Sequence, residues 1–483
     1  MSSLVPNAHV RSTPPSHPLD SSLPAPGLPV PKPCLSLWQR TTRTNPFLNL
    51  NSDHSIELVS NADAVIIGSG LSGTLTAYEL LSSSSPNAPK NVVMLEAREA
   101  CSGATGRNAG HCRPDAFRGF SAFSKIHGEA QAHKILQHEK LVLELVDRFV
   151  KEKGVECDWD CGKTFDVVMA EEFGEYVRKS FAEYASKHGD GNGGVDGVRV
   201  LGQQEAKKET HVPLALGAYE WNAANLHPAK LCLSILQMCV DRGLQLFTHT
   251  PVTSISAASS GGGWTVTTPR GLITTPIVIH ATNAFAATLI PSLKDLAHTL
   301  IPPTPFPSSV PYLTHTYSLR FSLHHFYSLI QRKSDGHFVL GTSRGIPGMS
   351  EITRSQIHGG KDDRVWNKEI QDDALDKFWI TFRDRLRGKG EEEEEEPLGV
   401  GEGHQYGWTG VIGITRDSVP FVGRVPGKEG QWVIAGFNGH GMARIFGCAP
   451  GLVKMILGGK WEDTGMPECF GITEERLAKL QNV

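Results

Sequence analysis

The sequence predicts an α/β domain built on a parallel sheet and assembled from separated segments, with an α+β second domain carrying an antiparallel sheet. Three observations predict it. The stretch Ala64–Leu81 reads as strand, glycine turn and helix. A second apolar strand, Val92–Leu95, ends in the acidic Glu96. Further along, helical patterns (His133–Lys151, Glu171–Lys187) mix with strand-like runs (Tyr317–Phe321, His337–Leu340), which suits an α+β cap over an α/β core.

The first element carries the most chemistry. Gly68, Gly70 and Gly73 stand in G-x-G-x-x-G spacing. The β-branched run Val65–Ile67 enters the turn, and a helix with Leu71, Leu75, Tyr78 and Leu81 on one side leaves it. In this context the motif points to a dinucleotide. Gly68 allows the tight turn, Gly70 lets backbone approach a pyrophosphate at the helix N-terminus, and Gly73 lets helix and strand pack closely. Glu96, at the end of the second strand, can accept hydrogen bonds from a ribose. An ordinary βαβ unit is the bland alternative.

The segment after Glu96 separates the dinucleotides. A nicotinamide domain would begin its next helix here. This chain supplies a small-residue loop instead, with Gly103, Gly106 and Gly110 among Ser, Thr and Ala. Such a loop offers free N–H groups and close approach to a large planar cofactor with phosphates. On these residues the chain resembles the D-amino-acid-oxidase-like FAD-dependent oxidoreductases, which include glycine and sarcosine oxidases and γ-glutamylputrescine oxidase. The resemblance implies FAD contacts from Leu71 and Ser72 at the helix start. It implies others along the loop: Ala97, Arg98, Gly103, Ala104, Thr105, Arg107, Asn108, Gly110 and His111.

Two later segments extend the resemblance to about residues 60–460. Trp264–Ala284 reads as a hairpin around Pro269–Gly271, then a buried strand ending at Ala281, Thr282 and Asn283. In the family this strand returns to the FAD domain, which makes Ala281 and Thr282 cofactor contacts. Trp408–Gly423 and Trp432–Ala443 are similar to the family's C-terminal flavin motif. There a strand ends in a Gly-rich turn, here Asn438, Gly439, His440, Gly441 and Met442, and the next helix aims its N-terminus at the flavin. That helix is expected over Met442–Met455.

The organisation follows from these segments. Residues 1–60 form a Pro-rich extension. FAD segments span 61–124, 221–299 and 406–460. The substrate domain takes 125–220 and 300–405, with an acidic loop at 390–397, and 461–483 is a tail. Ten prolines lie between Pro6 and Pro46, too many for the extension to order by itself, and Leu35–Trp38 is its candidate docking patch. Glu391–Glu396 reads as a solvated loop insertion.

The resemblance implies oxidation of the C–N bond of an amine or amino acid to an imine, by hydride transfer to FAD, with oxygen as acceptor. Among the candidate catalytic residues, the N–H groups of Gly439–Gly441 would stabilise charge developing on the flavin. His440 contributes its backbone more readily than its ring. His227 is the base candidate by motif position, with helix capping as its competing role. Arg344 could clamp a substrate carboxylate, with a surface or phosphate-side role as its equal alternative. Trp408 either walls the flavin pocket or packs in the core. Covalent attachment is not expected, because Gly410 and Arg107 stand where the family's attaching Cys and His would be. A tailoring oxidase of a specialised metabolite would carry the same motifs. So would a flavin-binding interaction protein without turnover.

Composition excludes other classes. The 483 residues are 39% hydrophobic and 20% charged, enough for two sizeable cores. A net charge of −4 offers no broad attraction to nucleic acid or anionic membrane. No transmembrane run of about 20 apolar residues is present. Nine scattered cysteines with no secretory signal suggest reduced thiols and a cytoplasmic location, with an organellar transit peptide left open. No structural metal is expected, since no complete tetrahedral ligand set appears. The oligomeric state is not readable.

Overall fold

The computed structural model describes residues 27–259, 261–293, 297–301, 304–306, 313–342, 345–357, 363–364, 367–387 and 406–481. A six-stranded sheet forms the α/β core. Its order is Phe421–Arg424, Gln431–Ala435, Ile277–His280, Ala64–Ile67, Val92–Leu95 and Gln245–Phe247. All neighbours are parallel except the edge strand Phe421–Arg424. Ala64–Ile67 sits in the middle and is buried throughout, as an apolar run flanked on both faces must be. The helix Leu71–Ser82 starts at Gly70 and packs against the helices Pro228–Val240 and Ile445–Ile456.

Close packing at the first turn depends on its glycines. Gly68 has φ +106°, and a Cβ there would stand 2.7 Å from the Ala281 carbonyl oxygen. A Cβ on Gly73 would stand 2.0 Å from the Gly68 carbonyl oxygen. Neither neighbour can yield, since both are backbone.

The second sheet is larger. Its path runs Thr304–Phe306, Phe338–Gly341, Phe326–Gln331, His315–Arg320, Asp160–Val168, Gly217–Asn225 and His111–Cys112, with Arg199–Leu201 paired to Gly217–Asn225. It is antiparallel except where His315–Arg320 runs parallel to Asp160–Val168. Helices Glu129–Lys153 and Glu171–His188 match the two helical patterns in the sequence. The nine-residue strands Asp160–Val168 and Gly217–Asn225 were not expected.

These strands move the boundaries. His111–Cys112 already pairs with Gly217–Asn225, so the chain joins the second sheet before residue 124. Gly217–Asn225 keeps it there past residue 221. The transition follows hydrogen-bonded pairing, which composition does not mark.

From Cys34 onward the Pro-rich extension is docked. Trp38 is fully buried and donates from Nε1 to the Asn108 carbonyl at 2.6 Å. The acidic run 391–396, residues 1–26 and Arg344 lie outside the described residues. Among the described residues no helix is long and apolar enough to cross a membrane. No group of three or more His, Cys, Asp or Glu side chains there is placed to hold a metal. All nine cysteines are free thiols.

Candidate functional site

A cavity of about 340 Å³ opens where the strand ends of the parallel sheet meet the second sheet. This is the edge where open α/β sheets bind ligands. Ile67, Leu95 and Ala281 bring the strand ends to it. His111, Ser318, Arg320, Phe326, Ser328 and Gly341 bring the second sheet.

At one end lies the glycine turn. Gly68, Gly70, Ser72 and Glu96 line the cavity. The Glu96 carboxylate is fixed by its own neighbours. Oε2 accepts from Ser69 N at 3.0 Å and Ser69 Oγ at 2.7 Å, and Oε1 accepts from Arg98 N at 2.9 Å. A carboxylate has about four acceptor sites, so it retains capacity for a hydroxyl. Thr105 reaches back over the helix start, its Oγ1 accepting from Leu71 N at 2.9 Å. A Cβ on Gly70 would lie 3.2 Å from that oxygen, inside the space the turn leaves open. Ser72 and Gly73 begin the helix with N–H groups that no hydrogen bond among the described residues uses. The Thr282 hydroxyl is buried, lines the cavity and has no partner among the described residues. A narrow glycine cradle, free N–H donors and a fixed acid fit the pyrophosphate and ribose of FAD.

The loop residues divide into two groups. Ala97, Gly103, Ala104, Thr105, Asn108 and His111 line the cavity. Arg98 and Arg107 also reach its wall, but their guanidiniums are turned to other partners. Arg107 donates to the carbonyls of Ser102, Thr409 and Cys34, and Arg98 pairs with Asp363. Leu71, Gly73 and Gly110 shape the turn and loop from behind without lining the cavity.

The C-terminal segment supplies the opposite wall. Asn438, Gly439, His440, Gly441 and Met442 all line the cavity. The regular helix starts later than the sequence suggests, at Ile445, after a 3₁₀ turn over Gly441–Ala443. The break falls at Arg444, whose φ of −132° is not helical. The tight turn leaves the N–H groups of Gly439, Gly441 and Met442 outside the hydrogen bonds of the described residues. A Cβ on Gly410 would lie 3.0 Å from Arg107 Cβ, so a larger side chain has no room there.

Two of the catalytic candidates are not brought to the cavity. His227 is fully buried and caps the helix Pro228–Val240, with Nδ1 accepting from Lys230 N at 3.2 Å and Nε2 2.9 Å from Thr41 Oγ1. Burial and the Arg332 charge push its pKa down to about 3. A base candidacy for His227 therefore has no geometric support, and capping is its role. Trp408 is likewise core, packed edge-on to Trp38 and donating to the Arg107 carbonyl.

Sequence reasoning missed a buried charge cluster on the cavity wall. Asp166, on the unexpected strand Asp160–Val168, is completely buried. It accepts from Arg113 Nη2 at 2.7 Å, Arg118 Nη1 at 2.8 Å and Arg320 Nε at 3.1 Å. Asp115 takes Arg118 Nη2 at 3.1 Å. Burial alone would favour the neutral acid, but the three guanidiniums hold Asp166 far below the usual carboxylate range. Three cations against two carboxylates leave one positive charge. The excess shows at Arg320, where burial and Arg118 press the pKa down to about 9. Arg113, Arg118 and Arg320 all line the cavity. Arg113 Nη1 and Arg320 Nη2 are used by no hydrogen bond among the described residues. Beside them, Ser318 Oγ, Thr342 Oγ1 and both ring nitrogens of His111 have no hydrogen-bond partner among the described residues. Burial and Arg113 push His111 down to about 3, so its ring is neutral.

Glu139 joins this cluster to the glycine-rich wall. It is fully buried, accepts from Asp115 N at 2.7 Å, pairs with Arg444 at 2.8 Å and lies 3.5 Å from His440 Nδ1. Burial is the largest single influence and opposes its ionisation, but Arg444, His440 and the Asp115 N–H together carry the pKa down to about 2. One sequence signal was available: Arg113, Asp115 and Arg118 follow the small-residue loop directly. Asp166, Glu139 and Arg320 join from distant segments, and nothing local marks them.

Known proteins share this architecture. Glycine oxidase from Geobacillus kaustophilus superposes with a TM-score of 0.64 at 17% identity, covering 86% of this chain and 99% of that one. L-amino acid deaminase from Proteus vulgaris gives 0.61 at 16% identity, with 86% and 94% covered. Dithionite-reduced L-α-glycerophosphate oxidase from Mycoplasma pneumoniae, with FAD bound, gives 0.60 at 16% identity, with 86% and 100% covered. At these identities the likeness is one of fold. In sequence, the probable oxidoreductase OrdL of Haemophilus influenzae is 25% identical over 260 residues, which span 53% of this chain and 57% of that protein. The family model described as DAO, FAD dependent oxidoreductase, matches residues 63–455, most of the chain. The chain belongs to the DAO family of FAD-dependent oxidoreductases.

Proposed function

We propose that the protein oxidises the C–N bond of an amino acid, or of an amine that bears an anionic group, with FAD held non-covalently. The observation that carries this is the cation-rich cluster on the wall of the cavity that holds the glycine cradle. A carboxylate is the natural partner of two unpaired guanidinium N–H groups. Arg113 Nη1 and Arg320 Nη2 would bind it, and Asp166 keeps both forks in place.

When bound, FAD supplies the two-electron acceptor that no side chain here can be. The chain supplies position and electrostatics. Neutral His111, with both nitrogens unpartnered, orients a polar substrate atom. The free N–H groups of Gly439, Gly441 and Met442 face the charge that develops across the cavity. The carboxylates of the cluster are already engaged: Asp166 by three guanidiniums, Glu139 by Arg444 and the Asp115 N–H, and Asp115 by Arg118 and the N–H groups of Phe117 and Gly119. The substrate amine therefore arrives already unprotonated. Loss of two electrons and two protons from CH–NH gives C=N, which water splits into a carbonyl compound and an amine. Oxygen, taking up the two electrons and two protons, becomes hydrogen peroxide. The tight packing of Gly410 against Arg107, and the turning of the Arg107 guanidinium to backbone carbonyls, support a flavin without a covalent link through either position.

The same cluster also suits an anionic alcohol oxidised at C–O, the chemistry named for the glycerophosphate oxidase. An anaerobic screen of amino acids, amines and hydroxy acids, read by flavin bleaching, separates the readings. Bleaching by amino acids supports the proposal. Bleaching by hydroxy acids alone, or by uncharged amines in preference to amino acids, rejects it. No bleaching by any class would leave a flavin-binding protein without turnover.

A further inference from the structure

We infer that residues 27–33 form a strap that closes the mouth of the cofactor cleft and slows the release of FAD. Leu28 and Pro29 line the same cavity as Glu96 and Ala97. They lie between two tethers. On one side Thr288 Oγ1 donates to the Gly27 carbonyl at 3.1 Å. On the other, Arg98 Nη1 donates to the Val30 carbonyl at 3.3 Å. Arg98 is two residues beyond Glu96, so the strap crosses the cleft at its ribose end.

A buried latch holds the far end of the strap. Asp363 is 1% exposed, and both its oxygens accept from Arg98 Nη1 at 3.0 Å. Arg107 Nε stands 3.6 Å from the same carboxylate. The Asp363 carbonyl accepts from Cys34 N at 2.9 Å, and Arg107 Nη2 donates to the Cys34 carbonyl at 2.6 Å. Arg98, which grips the strap at Val30, and Arg107, which holds Cys34 just beyond it, both belong to the loop that lines the cleft. Behind them the chain is anchored by Ser36, whose Oγ donates to the Gly106 carbonyl, and by buried Trp38 on Asn108.

The strap itself is built to open without unfolding the core. Pro29, Pro31 and Pro33 limit its backbone freedom, so it swings as a stiff piece. Leu28 remains 43% exposed, so apolar burial contributes little to holding it shut. The tethers hold it, and each is a single hydrogen bond of modest net worth.

The inference rests on FAD occupying the cleft. The test compares FAD release from full-length holoprotein with two variants, by flavin fluorescence after large dilution into FAD-free buffer, where rebinding is negligible. One variant lacks residues 1–30 and keeps Cys34–Trp38. The other, L28G/P29G, keeps the whole chain but removes the wall and its stiffness at an exposed place. Release at least tenfold faster from the truncated chain, and severalfold faster from L28G/P29G, is expected. A rate within twofold of full length in either folded variant overturns the strap. Should the truncated chain fail to fold, the L28G/P29G rate alone decides. Full-length protein unable to bind FAD at all would sink the cofactor reading instead, a different outcome.

Discussion

Arg320→Met tests whether the cation cluster recognises the substrate. Methionine keeps an apolar stem against Phe326, over which the Arg320 guanidinium lies 3.8 Å from the ring centroid. It removes one of three positive charges, so the cluster falls from one net positive charge to none. Asp166 is not stranded, because Arg113 at 2.7 Å and Arg118 at 2.8 Å remain. The fold should therefore tolerate the change. A substrate carboxylate loses one charged hydrogen bond, worth about 1.5–3 kcal/mol, or roughly 10- to 150-fold in kcat/KM. An amine without a carboxylate never made that bond and should react as before. The assay is anaerobic stopped-flow bleaching with an amino acid and its decarboxylated amine. Equal losses for the pair, or no loss for the amino acid, would refute the assignment.

Further expectations follow from the same geometry. Gly70→Val should abolish FAD binding in a folded protein, since even its Cβ would come within 3.2 Å of Thr105 Oγ1; FAD titration with circular dichroism checks it. Gly441→Pro removes an N–H donor from the cavity wall, and a protein still loaded with FAD should be reduced about 100-fold more slowly, near 3 kcal/mol. Acid precipitation should release the yellow colour into the supernatant, and flavin left in the pellet would mean a covalent link. Glu139, with a pKa carried down to about 2 from an ordinary 4.5, adds stability that is full above about pH 4.5 and is lost as pH falls toward 2. Glu139→Gln should flatten that acid limb in thermal melts and leave Arg444 buried without its carboxylate, at a cost of about 3–5 kcal/mol.

The cofactor end of the site was legible because its physics is local. A glycine turn between an apolar strand and a helix constrains three positions within six residues, and Glu96 closes the unit at the next strand. The C-terminal turn was legible for the same reason, but its helix start was not. Gly441–Ala443 tightens into a 3₁₀ turn because Arg444 leaves helical geometry to reach Glu139, which lies some 300 residues away in sequence. The nine-residue strands Asp160–Val168 and Gly217–Asn225 were hidden for a related reason. Asp166, Thr164 and Glu220 break the apolar alternation that marks a half-buried strand. Those polar residues point into the fold because partners meet them there.

This difference has a functional side. Binding a cofactor shared by a whole family calls for a local backbone device, and such devices leave a short motif. Recognising a particular substrate calls for side chains set against each other across sheets. In this chain Arg113 follows the small-residue loop, Asp166 sits on one strand of the second sheet and Arg320 on its parallel neighbour, in register with Val168. Each residue alone would be an ordinary buried or surface charge. Only their pairing makes the excess positive charge, and the pairing depends on one parallel contact inside a largely antiparallel sheet. A one-residue slip of that contact would turn Arg320 to the opposite face and empty the cavity wall of a guanidinium. If the cluster holds the substrate's anionic group as proposed, specificity rests on strand register, a property that the residues of no single segment encode.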